Sequence, residues 1–382
     1  MSLPCKFSAF VAVLAFSVGA QADITVGVIV STTGPGASLG IPEQNTVRLW
    51  PTEIGGEKLR ITILNDESDT TTASKNAMRL LTENNVDVIV GPSLTPTSLA
   101  VLDAVAQSGT PMISLAGGGA IIDPPEGSRR WAFRMAPPES IAVNLALDHM
   151  VARGVKKVGV VALATSFGDG YTKTLERLAP GRGISVVAVE RYNQNDTTVT
   201  AQVLRLLGAQ PDAVYIMSSG TPGALPQIEL SRRGFKGPVY QTQGVANADF
   251  LRIGGKDVEG GYMTVGPVLV AEQLGDSSIL KRPALEYVKR YEAVHGPATR
   301  SLFGASTWTA FMWLEAAVPQ ALKKAKPGTP EFRTALRDAL ESMKDIVTPE
   351  AVYTMSATNH NGADSRSQVL VRIVDGAWKL QN

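Results

Sequence analysis

Short runs of apolar, β-branched residues alternate with longer amphipathic stretches through the first third of the chain. The run ITVGVIV at 24–30 is too short for most helices and long enough for a buried strand. Similar runs follow at 59–64, 86–90 and 112–115, and the stretch 71–84 repeats apolar residues at helical spacing. This alternation is typical of a parallel sheet that helices cover on both faces.

The same alternation restarts further along the chain and then gives way to helices. The second series of predicted strands covers 155–162, 184–189, 213–217 and 238–241. The sequence therefore predicts the fold class α/β, with two lobes that each contain a doubly wound parallel sheet. The last third predicts helices and two closing strands, which cover 284–294, 306–324, 329–343, the region of Val352, and 368–374.

Three proline-containing segments are candidates for hinge crossings between the lobes: 134–138, 265–268 and 347–352. Proline fixes its own φ angle and removes a hydrogen-bond donor, so such segments are stiff. The long helical block after the second lobe indicates that the chain returns to the first. We therefore predict that lobe 1 contains 23–136 and 268–350, and that lobe 2 contains 137–267 and 351–382.

The N-terminal 22 residues have the pattern of a secretory signal peptide. Lys6 precedes an apolar run at 7–18, and Ala20-Gln21-Ala22 has the small-x-small form of a signal-peptidase site. A lipoprotein anchor would need a cysteine at the cleavage site, and Cys5 lies before the apolar run. We expect cleavage after Ala22 and export of a soluble protein to the periplasm, with a buried N-terminal helix as the alternative interpretation.

Composition removes several classes of function. The 382 residues contain 36 Lys and Arg against 35 Asp and Glu, which disfavours a general nucleic-acid binder. A single cysteine forms neither an internal disulfide nor a zinc cluster. No Walker motif, dinucleotide motif or metal-ligand spacing occurs in the sequence, so we expect no cofactor and no metal.

Five loops that follow predicted strands carry the candidate chemistry. Ligands of open α/β sheets bind outside the carboxyl ends of the strands. The pair Thr95-Pro96 predicts a helix N-cap followed by the first helical residue, where free N–H groups and the hydroxyl suit a carboxylate. Thr221-Pro222 repeats that pattern in the second lobe. The five loops cover 31–40, 91–97, 114–119, 165–171 and 218–222.

The segments GVIVSTTGPGASLG, VIVGPSLTPTSLA, PMISLAGGG, FRMAPPES, SFGDGY and HNGADSRSQVLVRIVDGAWKL resemble, in this order, the leucine/isoleucine/valine-binding-protein family. The resemblance covers essentially the whole chain after residue 22. It implies a type I periplasmic solute-binding protein, monomeric and without catalytic activity, that closes two lobes around a small molecule. The implied partners are that ligand and the membrane permease of an ABC importer.

The resemblance also implies roles for particular residues. Thr95 falls where the family holds a ligand carboxylate, and Gly118 falls where a threonine usually touches the ligand. Phe167 takes the place of an aromatic ring, Glu139 that of an acid near the cleft, and Gln243 that of the acid that holds an ammonium group. The full set of predicted ligand-binding residues is Ser38, Leu39, Thr95, Ala116, Gly117, Gly118, Glu139, Phe167, Ser219, Thr221 and Gln243.

Gln243 departs from the family in an informative way. A buried ammonium group without a carboxylate is costly, so a neutral amide disfavours an amino-acid ligand. The hypothesis is therefore a ligand with a carboxylate but no α-ammonium group, such as an aromatic or other organic acid. Two alternatives stay open: a branched-chain or other amino acid, with Glu139 compensating, and a Gln243 that only hydrogen-bonds within the hinge.

A serine hydrolase is the remote alternative. Residues 36–40 match G-x-S-x-G, with Ser38 as the nucleophile. The motif needs a strand that runs directly into its first glycine, and here TTGPG intervenes. Of the three histidines, only His360 is a plausible base. Ser38 is better interpreted as a hydroxyl in the ligand cleft.

Overall fold

The computed structural model describes residues 23–381 and contains two α/β lobes. The predicted signal peptide at 1–22 and Cys5 lie outside the described residues. The chain builds the first sheet, then the second, and finally returns to both. None of the helices within 23–381 combines the length and apolar character needed to cross a bilayer.

The first lobe has a six-stranded sheet in the order β2-β3-β1-β4-β5-β6. All neighbouring strands are parallel except β2, which pairs antiparallel with β3. The elements are β1 (Ile24–Val30), α1 (Ala37–Val47), β2 (Glu53–Ile54), β3 (Glu57–Asn65), α2 (Thr70–Thr82), β4 (Val88–Val90), α3 (Thr95–Ser108), β5 (Met112–Ser114) and β6 (Ala132–Arg134).

The second lobe has a seven-stranded sheet in the order β15-β14-β11-β10-β9-β7-β8. It is parallel from β8 to β11, and the two last strands of the chain add to it antiparallel. The elements before the returning segment are α4 (Glu139–Ala152), β7 (Lys157–Leu163), α5 (Ser166–Leu178), β8 (Ser185–Tyr192), α6 (Thr200–Gly208), β9 (Ala213–Met217), α7 (Ala224–Arg232), β10 (Val239–Gln241), α8 (Ala248–Gly254) and β11 (Tyr262–Val265).

The returning segment divides between the two lobes. Trp313 and Leu336 are buried in the same core cluster as Val26 of the first sheet. Tyr287 instead shares a cluster with Met263 of the second sheet. The predicted lobe boundaries stay a prediction. The elements of this segment are α9 (Lys281–His295), α10 (Leu302–Leu322), α11 (Pro330–Glu341), β12 (Ile346–Val347), β13 (Val352–Tyr353), β14 (Val369–Val374) and β15 (Ala377–Leu380).

The central strands are apolar on both faces because helices cover both sides of each sheet. In β1, Val28 pairs in register with Ile63 and Val90 and is fully buried. Burying each such side chain contributes roughly 1.5–3 kcal/mol. The strand interiors therefore hold the lobes together, and the polar loops at the strand ends are left to form a cleft.

Candidate functional site

A cleft between the lobes encloses about 670 Å³ of space that atoms do not fill, part of it open to solvent. The lobes already touch across this cleft. A Cβ atom on Gly117 would lie 2.8 Å from the ring of Phe167, and one on Gly220 would lie 2.5 Å from the carbonyl oxygen of Pro35. Six of the predicted residues line the cleft: Leu39, Thr95, Gly117, Phe167, Ser219 and Gln243.

Thr95 lies at the start of α3, but the predicted N-cap role is wrong. Leu94 is the N-cap, and Thr95 is the first helical residue. The position shifts by one because Leu94 already has the extended backbone that an N-cap requires, with φ −110° and ψ 149°. The Thr95 hydroxyl is buried and has no hydrogen-bond partner among residues 23–381. It is therefore free for a ligand.

Thr221 shows the same displacement in the second lobe. Gly220, with φ 71°, precedes the short 3₁₀ turn Thr221–Gly223, so Thr221 is its first residue and not its cap. The Thr221 side chain is half-buried and lies outside the cleft lining. Its predicted ligand contact stays a prediction.

Gly118 lies directly against Thr95, and the neighbouring Gly117 lines the cleft. A Cβ atom on Gly118 would lie 2.3 Å from Thr95 Cγ2 and 2.9 Å from Thr95 Oγ1, so only glycine fits there. Within the described part of the chain, the N–H groups of Gly117 and Gly118 donate to no protein acceptor. Two unpaired amides of this loop and one unpaired hydroxyl at the N-terminus of a 14-residue helix are available to an anion. Gly117 lines the cleft, whereas Gly118 is buried outside the cleft lining, so its predicted ligand contact stays a prediction.

Glu139 is committed to a protein contact. Its carboxylate lies 3.2 Å from Arg134 Nη1 and accepts the N–H of Gly119 at 2.6 Å. Both charged side chains are almost fully buried, and the Arg134 guanidinium also donates to the carbonyl oxygen of Gly117 at 2.8 Å. The pair orients the glycine loop, and Glu139 lies outside the cleft lining.

Two further predicted residues are buried behind the cleft. Ala116 packs in the core cluster beneath α2 and α3, and its N–H donates to Ser114 Oγ at 3.2 Å. The hydroxyl of Ser38 is buried and has no hydrogen-bond partner among the described residues. Neither side chain lines the cleft, so their ligand contacts stay predictions.

The wall from the second lobe is built from side chains. Phe167 lies at the start of α5, and its ring centroid is 4.9 Å from that of Tyr171. Gln243 Oε1 accepts a hydrogen bond from Gln368 Nε2 at 2.9 Å, so this amide is engaged within the protein. Among the cleft-lining residues of 23–381 there is no Lys, Arg or Asp.

Glu350 is the cleft residue that the sequence interpretation missed. It lies in the predicted crossing 347–352, is 4 % exposed, and lines the cleft together with Ser306 of α10. Ser306 Oγ donates to one carboxyl oxygen at 2.9 Å and Thr309 Oγ1 to the other at 3.3 Å. Burial raises the pKa of Glu350 to about 8. The crossing at 347–352 stays a prediction, and the sequence pattern gave no signal of the direction of this side chain.

The hydrolase alternative finds no support in this geometry. His360 stacks on Phe133, its Nδ1 lies 2.9 Å from the carbonyl oxygen of Ala132, and its Nε2 lies 3.2 Å from Glu341. Both ring nitrogens thus face groups other than Ser38. No group of three or more His, Cys, Asp or Glu that could hold a metal ion occurs between residues 23 and 381.

Comparisons with known proteins agree with this architecture. Leu/Ile/Val-binding protein homolog 3 of Brucella melitensis is 23 % identical over 361 residues, which is 92 % of each chain. The crystal structure of an extracellular ligand-binding receptor from Rhodopseudomonas palustris HaA2 is 42 % identical and has a TM-score of 0.91, covering 94 % of this chain and 100 % of that one.

A more distant solved structure is a solute-binding protein of an ABC transporter from R. palustris in complex with benzoate. It is 19 % identical with a TM-score of 0.80, and the match covers 94 % of this chain and 96 % of that one. The family model described as periplasmic binding protein matches residues 23–377. With two mostly parallel α/β lobes and a cleft between them, the chain belongs to the periplasmic binding protein family, type I.

Proposed function

We propose that this protein captures a small carboxylate-bearing ligand, an aromatic or other organic acid, between its lobes in the periplasm. It then delivers the ligand to the membrane permease of an ABC importer. The proposal includes removal of residues 1–22, a monomeric protein, and binding without a chemical reaction.

The observation that carries the proposal is the set of unpaired donors on the first lobe. The Thr95 hydroxyl and the N–H groups of Gly117 and Gly118 have no protein partner among the described residues, and the carboxylate of Glu139 is already paired with Arg134. Hydrogen bonds to a charged group contribute roughly 1.5–3 kcal/mol each. A few such bonds with burial of an apolar group give micromolar affinity, about −8 kcal/mol.

The apolar part of the ligand would lie against hydrophobic side chains. Phe167 lines the cleft from the second lobe, and Leu39, Leu94 and Phe303 form a small buried cluster on the first. Solved structures of this fold hold benzoate and 3,4-dihydroxybenzoic acid, and those likenesses concern the fold alone. The proposal of an aromatic or other apolar acid rests on the lining.

The mechanism is closure of the clamp around the ligand. A ligand stabilises the closed state only through contacts that the open state lacks, so it must touch both lobes. The anion-binding donors belong to the first lobe, whereas Phe167, Ser219 and Gln243 belong to the second. The closed protein, with the two lobes in fixed relative positions, would be the form that docks on the permease.

The second candidate is an amino-acid ligand, as the names of the Leu/Ile/Val-binding relatives indicate. Glu350 is the observation that favours it, because a buried carboxyl in the cleft could ionise beside an ammonium group. Gln243 argues against it, since the acid expected at that position is an amide that bonds to Gln368.

A thermal-shift screen with amino acids, benzoate-type acids and dicarboxylates tests the proposal, followed by calorimetry on the hits. We expect Thr95→Ala to lower affinity for the best acid roughly 10- to 150-fold, as loss of one charge-assisted bond predicts. Thr95→Ser keeps the hydroxyl and serves as the control, with affinity near that of the wild type. Micromolar binding of leucine or valine with no response to any benzoate-type acid would show the proposal to be wrong.

A further inference from the structure

The floor of the cleft holds a second polar group that the carboxylate site does not use. Glu350 lines the cleft from the turn between β12 and β13, and Ser306 lines it from the first turns of α10. Both side chains are buried, with 4 % and 7 % of their surface exposed. We call Glu350 and Ser306 the floor pair.

An apolar cluster connects the floor pair to the anion-binding donors. Leu94 immediately precedes Thr95 and contacts Phe303 and Leu39. Phe303 lies one helical turn before Ser306, so the two side chains project from the same face of α10. The cleft thus presents donors for an anion at Thr95, an apolar wall at Leu94 and Phe303, and a polar group again at Ser306.

The hydrogen bonds of Glu350 leave it with unused capacity. A carboxyl group offers about four acceptor sites, and a protonated one also offers a donor. Ser306 and Thr309 each engage one oxygen, and no other side chain of the described residues bonds to either oxygen. Ser306 Oγ can also accept a hydrogen bond while it donates to Glu350.

The charge state of the floor pair restricts what it would bind. Burial raises the pKa of Glu350 to about 8, so the carboxyl is mostly neutral at pH 7. No cationic side chain lines the described part of the cleft and could hold it ionised. A neutral carboxyl beside a hydroxyl matches a ligand group that donates and accepts hydrogen bonds without carrying a charge.

We propose that Glu350 and Ser306 determine specificity by binding an uncharged polar group, such as a hydroxyl, at the end of the ligand remote from its carboxylate. This inference rests on the proposed function, because it assumes an acid anchored at Thr95. It narrows the ligand class from carboxylates in general to hydroxylated acids with an apolar middle.

Calorimetry with matched pairs of acids tests the inference. The probes are benzoate against 4-hydroxybenzoate, and 3-phenylpropanoate against 3-(4-hydroxyphenyl)propanoate, so that two lengths are sampled. In the wild type we expect the hydroxylated member of at least one pair to bind about 3- to 10-fold more tightly, as one neutral hydrogen bond predicts. The acid 4-(aminomethyl)benzoate, which carries a cation, should gain nothing over benzoate.

Variants of the floor pair should remove that preference without removing the anchor. In Ser306→Ala and Glu350→Leu we expect the two members of the pair to bind equally, while Glu350→Gln keeps a neutral donor and acceptor and so retains part of the preference. Thr309→Ala is the matched control, since Thr309 bonds to Glu350 but lies outside the cleft lining. Thr309→Ala should keep the wild-type preference for the hydroxylated acid.

The possible outcomes distinguish failure of this inference from failure of the proposed function. If the acids bind but hydroxylation has no effect in the wild type, or the preference survives in both Ser306→Ala and Glu350→Leu, the floor pair has no such role and the function stands. If only Glu350→Leu fails to fold, Ser306→Ala decides. If none of the four acids binds, the inference is contradicted, and the thermal-shift screen with amino acids and dicarboxylates decides the proposed function separately. Preferential binding of 4-(aminomethyl)benzoate would contradict the uncharged ligand class alone.

Discussion

The two lobes contribute different kinds of chemical groups to the two walls of the cleft. The first lobe presents the backbone of Gly117 and the hydroxyl of Thr95, with Gly118 packed against Thr95. The second lobe presents side chains, chiefly Phe167 and Gln243. Backbone donors held by a glycine loop and a helix terminus have fixed positions, whereas side chains can change with little effect on the fold. Under the proposed function, the first wall binds the carboxylate and the second contacts the rest of the ligand.

The largest loss of ligand affinity should come from a side chain introduced at Gly118. In Gly118→Val the new Cβ would lie 2.3 Å from Thr95 Cγ2, although the backbone at Gly118, with φ −82° and ψ 129°, accommodates valine. We expect affinity for the best acid to fall more than about 100-fold, since several charge-assisted bonds are lost together, and the free protein to remain folded. Calorimetry and thermal unfolding measure the two effects.

Gly181→Val is the matched control for that substitution. A Cβ atom on Gly181 meets no heavy atom within 4 Å, and it lies in a short turn of the second lobe after α5. Its affinity should equal that of the wild type. An unchanged affinity in Gly118→Val would mean that the glycine loop of the first lobe does not hold the ligand.

The next largest loss of affinity should come from the contact between the two lobes at Gly220. Gly220 has φ +71°, and a Cβ atom there would lie 2.5 Å from the carbonyl oxygen of Pro35 in the opposite lobe. Gly220→Val should weaken every ligand by roughly 30-fold because the closed state is destabilised, whichever wall the ligand prefers. Small-angle scattering of the ligand-saturated variant should show a larger radius of gyration than the wild type. An equally compact complex would indicate that the Pro35–Gly220 contact does not limit closure.

The buried carboxyl group of Glu350 predicts that the stability of the protein depends on pH. The folded protein holds a proton on Glu350 up to about pH 8, whereas the unfolded chain releases it near pH 4.5. The folded state therefore binds more protons between these values, and the free energy of unfolding should fall as pH rises, by at most about 1.4 kcal/mol per pH unit for this group. Glu43, buried and with its pKa also raised to about 8, adds a second contribution of the same sign.

Urea unfolding between pH 5.5 and 7.5 checks this expectation. Glu350→Gln should reduce the slope of stability against pH and be more stable than the wild type at pH 7.5. The exposed Glu315→Gln on α10 is the control and should leave the slope unchanged. A slope in Glu350→Gln equal to that of the wild type would mean that Glu350 is ionised in the folded protein.

The smallest effect should come from the side-chain wall. Gln243→Ala removes one neutral hydrogen bond to Gln368, so affinity for an acid should fall by about 3- to 10-fold at most. In Gln243→Ala, the ratios of affinity between different acids should change more than the mean affinity across the series. A loss as large as that of Gly118→Val would show that both walls contribute equally to holding the carboxylate.

Prediction from sequence succeeded where a pattern is local. The strands at 24–30 and 213–217 were predicted with the bounds that the structure has, because buried parallel strands are uninterrupted apolar runs. The brief strand β2, the edge strand β6 and the terminal strand β15 were not predicted. Each of these is two to four residues long, and such lengths give too few residues for a periodicity.

The candidate site divides in the same way. Thr95 and Gly117 lie in loops that follow predicted strands, and the topology of an open sheet brings such loops to one edge. Phe167 was implied by the family resemblance. All three line the cleft, and their ligand contacts stay predictions. The exact cap at Leu94 was missed because an N-cap is defined by its backbone angles, and leucine is not a residue type that indicates one. Glu350 was missed because nothing local tells whether an acid in a crossing points into a cleft or into solvent.

The sequence by itself determined the alternation of the longer strands and helices, the division into two α/β lobes, and the glycine and hydroxyl positions at the strand ends. Apolar periodicity and backbone sterics act over a few residues, so they can be read along the chain. Only the tertiary structure decided that Glu139 is neutralised by Arg134, that Gln243 bonds to Gln368, and that Glu350 is buried in the cleft. Those outcomes depend on partners 5, 125 and 44 positions away along the chain, and on the burial that folding imposes.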